Sequence, residues 1–235
     1  MPVIIDYTGH SGFLVETGSA LLLFDYYTGD IVSLLSRKPQ GKPLFIFASH
    51  AHSDHFNPGI FSLSDCGRPV KYILSSDIKK KARGTAGADI LFTAAGGTYE
   101  IEGLGTVRTL LSTDEGVAFL VKTGDITVFH SGDLHWWDWP GEDSGWLSQQ
   151  EQTFRAEIEK TAGVPVDIAF TVLDDRLGEN FDKGMSLLLD IMRPRYALPM
   201  HFWSDRGVIS RFRSLHDPGE TVILDTANEN HWELS

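Results

Sequence analysis

The amino-acid sequence predicts an α/β fold, with two β-rich blocks and helices set between and after them. Two observations carry this expectation. Short apolar runs ended by glycine or proline turns dominate the N-terminal third and return around residues 98–130, while other segments place their apolar residues at helical spacing. A chain of 235 residues, 42% hydrophobic and 22% charged, can bury a sizeable core, and no Pro/Gly/Ser-rich stretch or charge block divides it. One domain over residues 1–235 is therefore expected.

The first block reads as a β-meander: V-I-I-D-Y, a turn at Thr8 and Gly9, G-F-L-V-E-T, Gly18, then the run 20–26. Residues 31–37 have helical spacing, which Pro39, Gly41 and Pro43 end before the apolar run L-F-I-F-A. That run predicts a buried strand ending at Ser49. A short helix at 58–63, a strand at 70–74, a helix at 77–83 and a short strand at 90–92 follow. The second block consists of T-Y-E-I, T-V-R-T-L-L, G-V-A-F-L-V-K and I-T-V-F-H, separated by glycines, with Asp133 just beyond its last strand. Leu147, Phe154 and Ile158 mark an amphipathic helix over 147–161. The remainder alternates D-I-A-F-T-V-L, a helix at 185–192, the strand Y-A-L-P-M ending at His201, a helix at 208–215 and a final strand T-V-I-L. No solenoid repeat is present, although the two β-rich blocks are loosely alike.

Composition narrows the function classes. A formal net charge of −12, from 32 acidic and 20 basic residues, repels phosphate backbones and anionic lipid, so neither nucleic acid nor a membrane is expected as a partner. The local run Lys79, Lys80, Lys81 and Arg83 reads as the solvated side of a helix. A single cysteine, Cys66, excludes an intramolecular disulfide, and the opening M-P-V-I-I-D-Y lacks the pattern of a secretory signal. With no run approaching the roughly 20 apolar residues of a membrane span, a soluble cytoplasmic protein is expected. A phosphate-binding G-x-x-x-x-G-K-[ST] loop, a G-x-S-x-G serine elbow and a Cys-x-x-Cys pair are all missing from the sequence.

The chemistry concentrates in A-S-H-A-H-S-D-H-F, where His50, His52, Asp54 and His55 directly follow an apolar strand. Imidazole nitrogens and a carboxylate are good ligands for Zn²⁺ and similar ions, and residues at i and i+2 of an extended turn point the same way. A following Asp-His pair can reach a second ion. Against this stands a polar loop with solvent-facing histidines, but the strand-then-turn context is the one a metal motif requires.

These residues resemble the metallo-β-lactamase superfamily, whose signature H-x-H-x-D-H is matched by His50, His52, Asp54 and His55. The resemblance extends through Asp25 at the end of L-L-L-F-D, Asp133 in F-H-S-G-D and His201 in L-P-M-H. It implies a four-layer αββα sandwich with the metal loops gathered along one edge. It also implies that His50 and His52 hold one metal, that Asp54, His55 and His201 hold another, that Asp133 bridges them, and that Asp25 supports a ligand. More narrowly, G-H-S-G-F-L-V-E and F-H-S-G-D are similar to the branch related to ascorbate-lactone hydrolases, which would bring His10 and His130 near the site. A lone histidine beside a strand is more often a hydrogen-bonded core residue, so neither is counted as a ligand.

Many members of the superfamily carry a further histidine before the bridging aspartate, and here none lies between His55 and His130. The turn L-S-T-D-E-G-V offers Asp114 as an oxygen ligand in its place, or Asp114 merely caps that turn. Trp136, Trp137, Trp139 and Trp146 follow Asp133, and Phe202 and Trp203 follow His201; they could wall a pocket or simply pack. Arg176, Arg193 and Arg206 could clamp an anionic substrate, although surface ion pairs are the commoner fate of arginines.

The expected activity is that of a metal-dependent hydrolase using one or two divalent ions of Zn, Mn or Fe. A metal-bound hydroxide would attack a small ester, lactone, amide or phosphodiester, with Asp54 orienting it or taking its proton. A nuclease or phosphodiesterase of the same fold would call for a basic surface or a clamping domain, and neither is visible. A non-catalytic metal-binding member, or a di-iron oxidoreductase with an electron-donating partner, would share the ligand set.

Overall fold

The computed structural model of the protein describes residues 2–82 and 87–235. Six strands come first: β1 (Val3–Gly9), β2 (Gly12–Glu16), β3 (Leu21–Phe24), β4 (Leu44–Ala48), β5 (Val70–Ser75) and β6 (Ile90–Thr93). Seven more form the second block and its continuation: β7 (Thr98–Ile101), β8 (Gly105–Leu111), β9 (Val117–Thr123), β10 (Ile126–His130), β11 (Ile168–Val172), β12 (Tyr196–Met200) and β13 (Val222–Ile223). A last strand, β14 (His231–Leu234), returns to pair with β1.

Two mixed sheets result, ordered β14-β1-β2-β3-β4-β5-β6 and β13-β12-β11-β10-β9-β8-β7. The likeness of the two blocks has a structural counterpart. From β14 inward and from β7 inward, each sheet runs through antiparallel pairs and then parallel ones. β14 thus fills in the first sheet the edge position that β7 holds in the second.

Central strands are apolar along their whole length because both faces are covered. In β3 and β4, Leu22, Phe24, Phe45 and Phe47 face the second sheet, where Phe47 meets Phe119 edge-on with centroids 5.2 Å apart. From β2, Phe13 stacks on Phe170 at 4.0 Å. The alternate residues Leu21, Leu23, Leu44 and Ile46 form a separate outer core under α1 (Ile31–Ser36) and two 3-10 helices, Pro58–Asp65 and Ser76–Lys80. The second sheet is covered by α2 (Ser144–Glu159), α3 (Lys183–Met192) and α4 (Val208–Leu215), which supply Phe154, Met185, Leu188 and Phe212 to the main core. The layers are αββα, as the resemblance implied.

Boundaries differ from the sequence expectation where local capping or distant pairing intervenes. α2 starts at Ser144 because the Asp143 carboxylate accepts from the Gly145 and Trp146 N–H groups, opening the helix before its first apolar residue. The helix expected at 77–83 is the 3-10 segment Ser76–Lys80, and Arg83 lies outside the described residues. A 3-10 helix at Asp175–Asn180 and β14 were not expected at all. Among the described residues, no helix is long and apolar enough to cross a membrane.

Parallel strands of a sheet deliver their C-terminal ends to one edge, and the chemistry-bearing residues follow those ends: Asp25 after β3, His50 after β4, Asp133 after β10, Asp174 after β11 and His201 after β12. Hydrogen bonds join the sheets at this edge, from Val117 N to Ser49 O at 3.0 Å and from His201 N to His10 O at 3.2 Å. Gly116 permits the first. Its φ is +69°, and a Cβ there would lie 2.0 Å from the Ser49 carbonyl oxygen.

Candidate metal centre

The segment after β4 turns at once. His55 N and Phe56 N both donate to His52 O, at 3.1 and 2.9 Å, which folds His52, Asp54 and His55 back over the strand end. The peptide between the first two histidines is gripped from both sides. Ala51 N–H donates to Asp77 Oδ2 at 2.7 Å, and the Lys81 ammonium donates to Ala51 O. His50 Nε2 and His52 Nδ1 accordingly converge to 3.0 Å, although His50 is buried and the His52 side chain is 48% exposed.

Carboxylates behind the histidines set their orientation. Asp25, fully buried, accepts from Ser49 N at 2.7 Å, from Ser49 Oγ at 2.6 Å and from His55 Nδ1 at 2.7 Å. Asp174 accepts from His201 Nδ1 at 2.9 Å. A proton held on each Nδ1 leaves the Nε2 lone pair free to bind a metal.

Asp133 lies at the centre. Its Oδ1 is 3.1 Å from His55 Nε2 and 3.5 Å from His201 Nε2, while Oδ2 is 3.5 Å from His50 Nε2. On the other side, Asp54 Oδ2 lies 3.2 Å from His10 Nε2, 3.8 Å from His55 Nε2 and 3.9 Å from His201 Nε2. Two groups could each hold an ion, His10 with Asp54, His55 and His201, and His50 with His52, Asp114 and Asp133. Within each group, the candidate donor atoms all lie within 4.8 Å of one another.

The donor set fits a metal on a further ground. His10 Nε2, His55 Nε2 and Asp133 Oδ1 are buried and make no well-aligned hydrogen bond, although His55 Nε2 and Asp133 Oδ1 approach to 3.1 Å and His10 Nε2 lies 3.2 Å from Asp54 Oδ2. Buried polar atoms are nearly always satisfied, and a cation between them satisfies all three. Burial, with His55 nearby, lowers the pKa of His50 to about 4, and burial also lowers that of His10, so both are neutral ligands at neutral pH. Burial opposes ionisation of Asp133, but His55, His201 and His50 hold its carboxyl well below the ordinary range.

All six sequence candidates, His50, His52, Asp54, His55, Asp133 and His201, are thus brought together. Asp114 joins them, its Oδ2 3.8 Å from His52 Nδ1, while Ser112 Oγ caps the turn by accepting Asp114 N–H at 3.1 Å. The sequence does not count His10 as a ligand, whereas in the structure it lies among the candidate donors. It occupies the tight turn between β1 and β2, which reaches the same edge from a distant part of the chain. His130 is a core residue: its Nε2 contacts Ser11 O at 2.8 Å, its Nδ1 accepts Gly132 N–H at 3.1 Å, and its ring stacks on Phe24 at 5.1 Å. Neither nitrogen is left for a metal. Asp174 and Asp77 escaped the sequence reading because each acts on a residue remote in sequence and stands in no local motif.

A pocket of about 400 Å³ opens on the centre, with His52, Asp54, Asp114, Asp133 and His201 on one side. Trp137, Trp139, Trp146, Trp203 and Arg176 wall the rest. Trp136 instead packs against the core beneath Lys183. Arg193 bonds the Asp190 carbonyl and Arg206 the Ala227 carbonyl, and neither lines this pocket. A larger groove of about 780 Å³ beside α1 is lined by none of the candidate donors, and its Asp6 and Glu16 are ion-paired with Lys38.

Backbone strain collects at the same place. Among the described residues, the non-glycine positions with positive φ are His10, Asp25, His201 and Trp203 around the centre, and Arg193 at the end of α3. Such conformations persist where surrounding contacts over-determine them, which is common at functional sites.

Comparison with known proteins is consistent with this geometry. The beta-lactamase superfamily domain matches residues 4–138, a span that includes His10, Asp25, the histidine cluster and Asp133. A metal-dependent hydrolase of Pyrobaculum islandicum is 24% identical over 205 residues, covering 84% of this chain and 83% of the relative. Another from Thermococcus kodakarensis is 23% identical over 245 residues, covering 97% and 98%. Among solved structures, Igni18, a metallo hydrolase of Ignicoccus hospitalis, superposes with a TM-score of 0.66 at 16% identity and covers 100% of both chains.

Proposed function

Because the chain belongs to the beta-lactamase superfamily, we propose that it is a metal-dependent hydrolase in which each of the two donor groups would hold one ion. His10, Asp54, His55 and His201 hold one ion; His50, His52 and Asp114 hold the other, with Asp133 shared. The observation that carries this reading is the convergence of buried ligand atoms from His10, His55 and Asp133 that make no well-aligned hydrogen bond. Nitrogen and oxygen donors without a thiolate suit Zn²⁺, Mn²⁺ or Fe. Bound there, such ions would supply hydroxide at neutral pH, by lowering the pKa of water to about 7, and would polarise the substrate oxygen.

The chain's own residues bind and orient the substrate. Asp54 reaches the pocket with its Oδ2 anchored toward His10, and it orients the attacking water or accepts its proton. The substrate is a small ester, lactone, amide or phosphodiester that fits about 400 Å³. A net charge of −12 weighs against a nucleic-acid substrate.

Elemental analysis of protein purified without a metal-affinity tag, followed by lactone, ester and phosphodiester assays, tests the reading. Transition metal at one to two ions per chain and turnover lost in Asp54→Ala and His52→Ala, with the fold retained, are expected. Well under one ion per chain after reconstitution, or full turnover in either variant, would overturn it.

A further inference from the structure

Large aromatic side chains are mostly buried, yet Trp146 and Trp203 remain 39% and 49% exposed, and both line the pocket over the metal centre. Trp139 and the more deeply buried Trp137 continue the wall, their rings parallel within 3°. Tyr27, also 39% exposed, lies edge-on to the His10 ring at 5.9 Å. Trp203 keeps its place at φ +46°, a conformation unfavourable for a bulky side chain.

Arg176 is the only lysine or arginine lining this pocket among the described residues. Its guanidinium carbon lies 5.5 Å from the Trp139 ring and 5.2 Å from the Trp203 ring. Nε and Nη2 are taken by Asp174. Among the described residues no hydrogen bond is formed by Nη1, so its N–H groups remain for an acceptor. Among the other polar groups of the wall, Gln150 Nε2 donates to Thr113 O at 3.2 Å and Thr113 Oγ1 donates to His135 O at 2.6 Å, while Gln150 Oε1 has no partner among the described residues.

We propose that the site selects substrates in which a flat aromatic ring bearing a carboxylate adjoins the scissile ester, lactone or amide. The ring stacks within the tryptophan wall, and the carboxylate takes the Arg176 Nη1 edge. Hydrolysis then adds water across the acyl bond, giving an acid and an alcohol or amine, with no other reactant. The bond cleaved rests on the hydrolase reading above, whereas recognition of the ring does not.

Calorimetric titration of the metal-loaded protein with 2-naphthoate and with its saturated analogue decahydronaphthalene-2-carboxylate separates the two. Any carboxylate–metal contact is common to both probes, so the difference reports the ring. 2-Naphthoate should bind about tenfold tighter, and Trp203→Ala and Trp146→Ala should each reduce that preference several-fold. Aryl esters carrying a carboxylate should show raised KM in Trp203→Ala, while their saturated-ring analogues should not. Equal affinity for the two probes, or a preference untouched by both variants, overturns the proposal. Ring-selective binding without hydrolysis of any ester would instead remove the hydrolase reading and leave the ring site standing. Hydrolysis without ring preference would do the reverse.

Discussion

Oδ2 of Asp174 lies 2.9 Å from Nδ1 of His201, tying the end of β11 to the end of β12. The same arrangement recurs in the other sheet, where Asp25 after β3 holds His55 Nδ1 at 2.7 Å. Each sheet therefore offers the centre one histidine locked by a buried carboxylate. Asp174 also binds Arg176, so its charge is compensated from the pocket side.

Replacing Asp174 with alanine should free the His201 ring and lower metal affinity by about 10–100-fold, as loss of such supporting carboxylates does. Competition against a chelating dye measures it. Unchanged affinity would show that the ring is held by packing alone.

Asp25→Ala should cost more in stability, because Ser49 N–H, Ser49 Oγ and His55 Nδ1 all lose their acceptor inside the core. Breaking a buried charged network of this kind costs roughly 3–5 kcal/mol. Urea denaturation should show the midpoint falling sharply, and a shift under about 1 kcal/mol would mean that water replaces the carboxylate.

His130→Phe keeps the stack on Phe24 but orphans Ser11 O and Gly132 N–H. We expect about 1–3 kcal/mol of destabilisation with metal stoichiometry unchanged. Loss of an ion in this variant would make His130 a ligand after all.

The two donor groups should bind metal unequally. The side chains of His10, His55 and His201 are at most 5% exposed and two of them are locked by carboxylates, whereas those of His52 and Asp114 are about half exposed, at 48% and 47%. Titration of metal-free protein should resolve two affinities, with Asp114→Ala affecting only the weaker. Two equal sites indifferent to Asp114 would contradict this.

Asp77→Ala should act on that weaker site from outside it. Without the carboxylate that receives Ala51 N–H, the peptide between His50 and His52 loosens, and affinity there should fall several-fold while the tighter site is unaffected. Equal loss at both sites would point to general unfolding of the loop.

Much of this was legible in the sequence because it is local. Apolar runs at strand period, glycine and proline turns, and four ligand-type residues in A-S-H-A-H-S-D-H-F need no distant partner to be recognised. Asp25, Asp133 and His201 are legible only through the resemblance to the metallo-β-lactamase superfamily, whose corresponding residues follow strands in the same order along the chain. Only the tertiary structure decided the rest. His10 joins Asp54, Asp174 orients His201, Asp77 grips Ala51 and β14 closes the first sheet through contacts between residues far apart in sequence, set by sheet register. Likewise His10 and His130 are both single histidines beside strands. What separates them is whether backbone partners are within reach of both ring nitrogens, and that depends on how the two sheets meet.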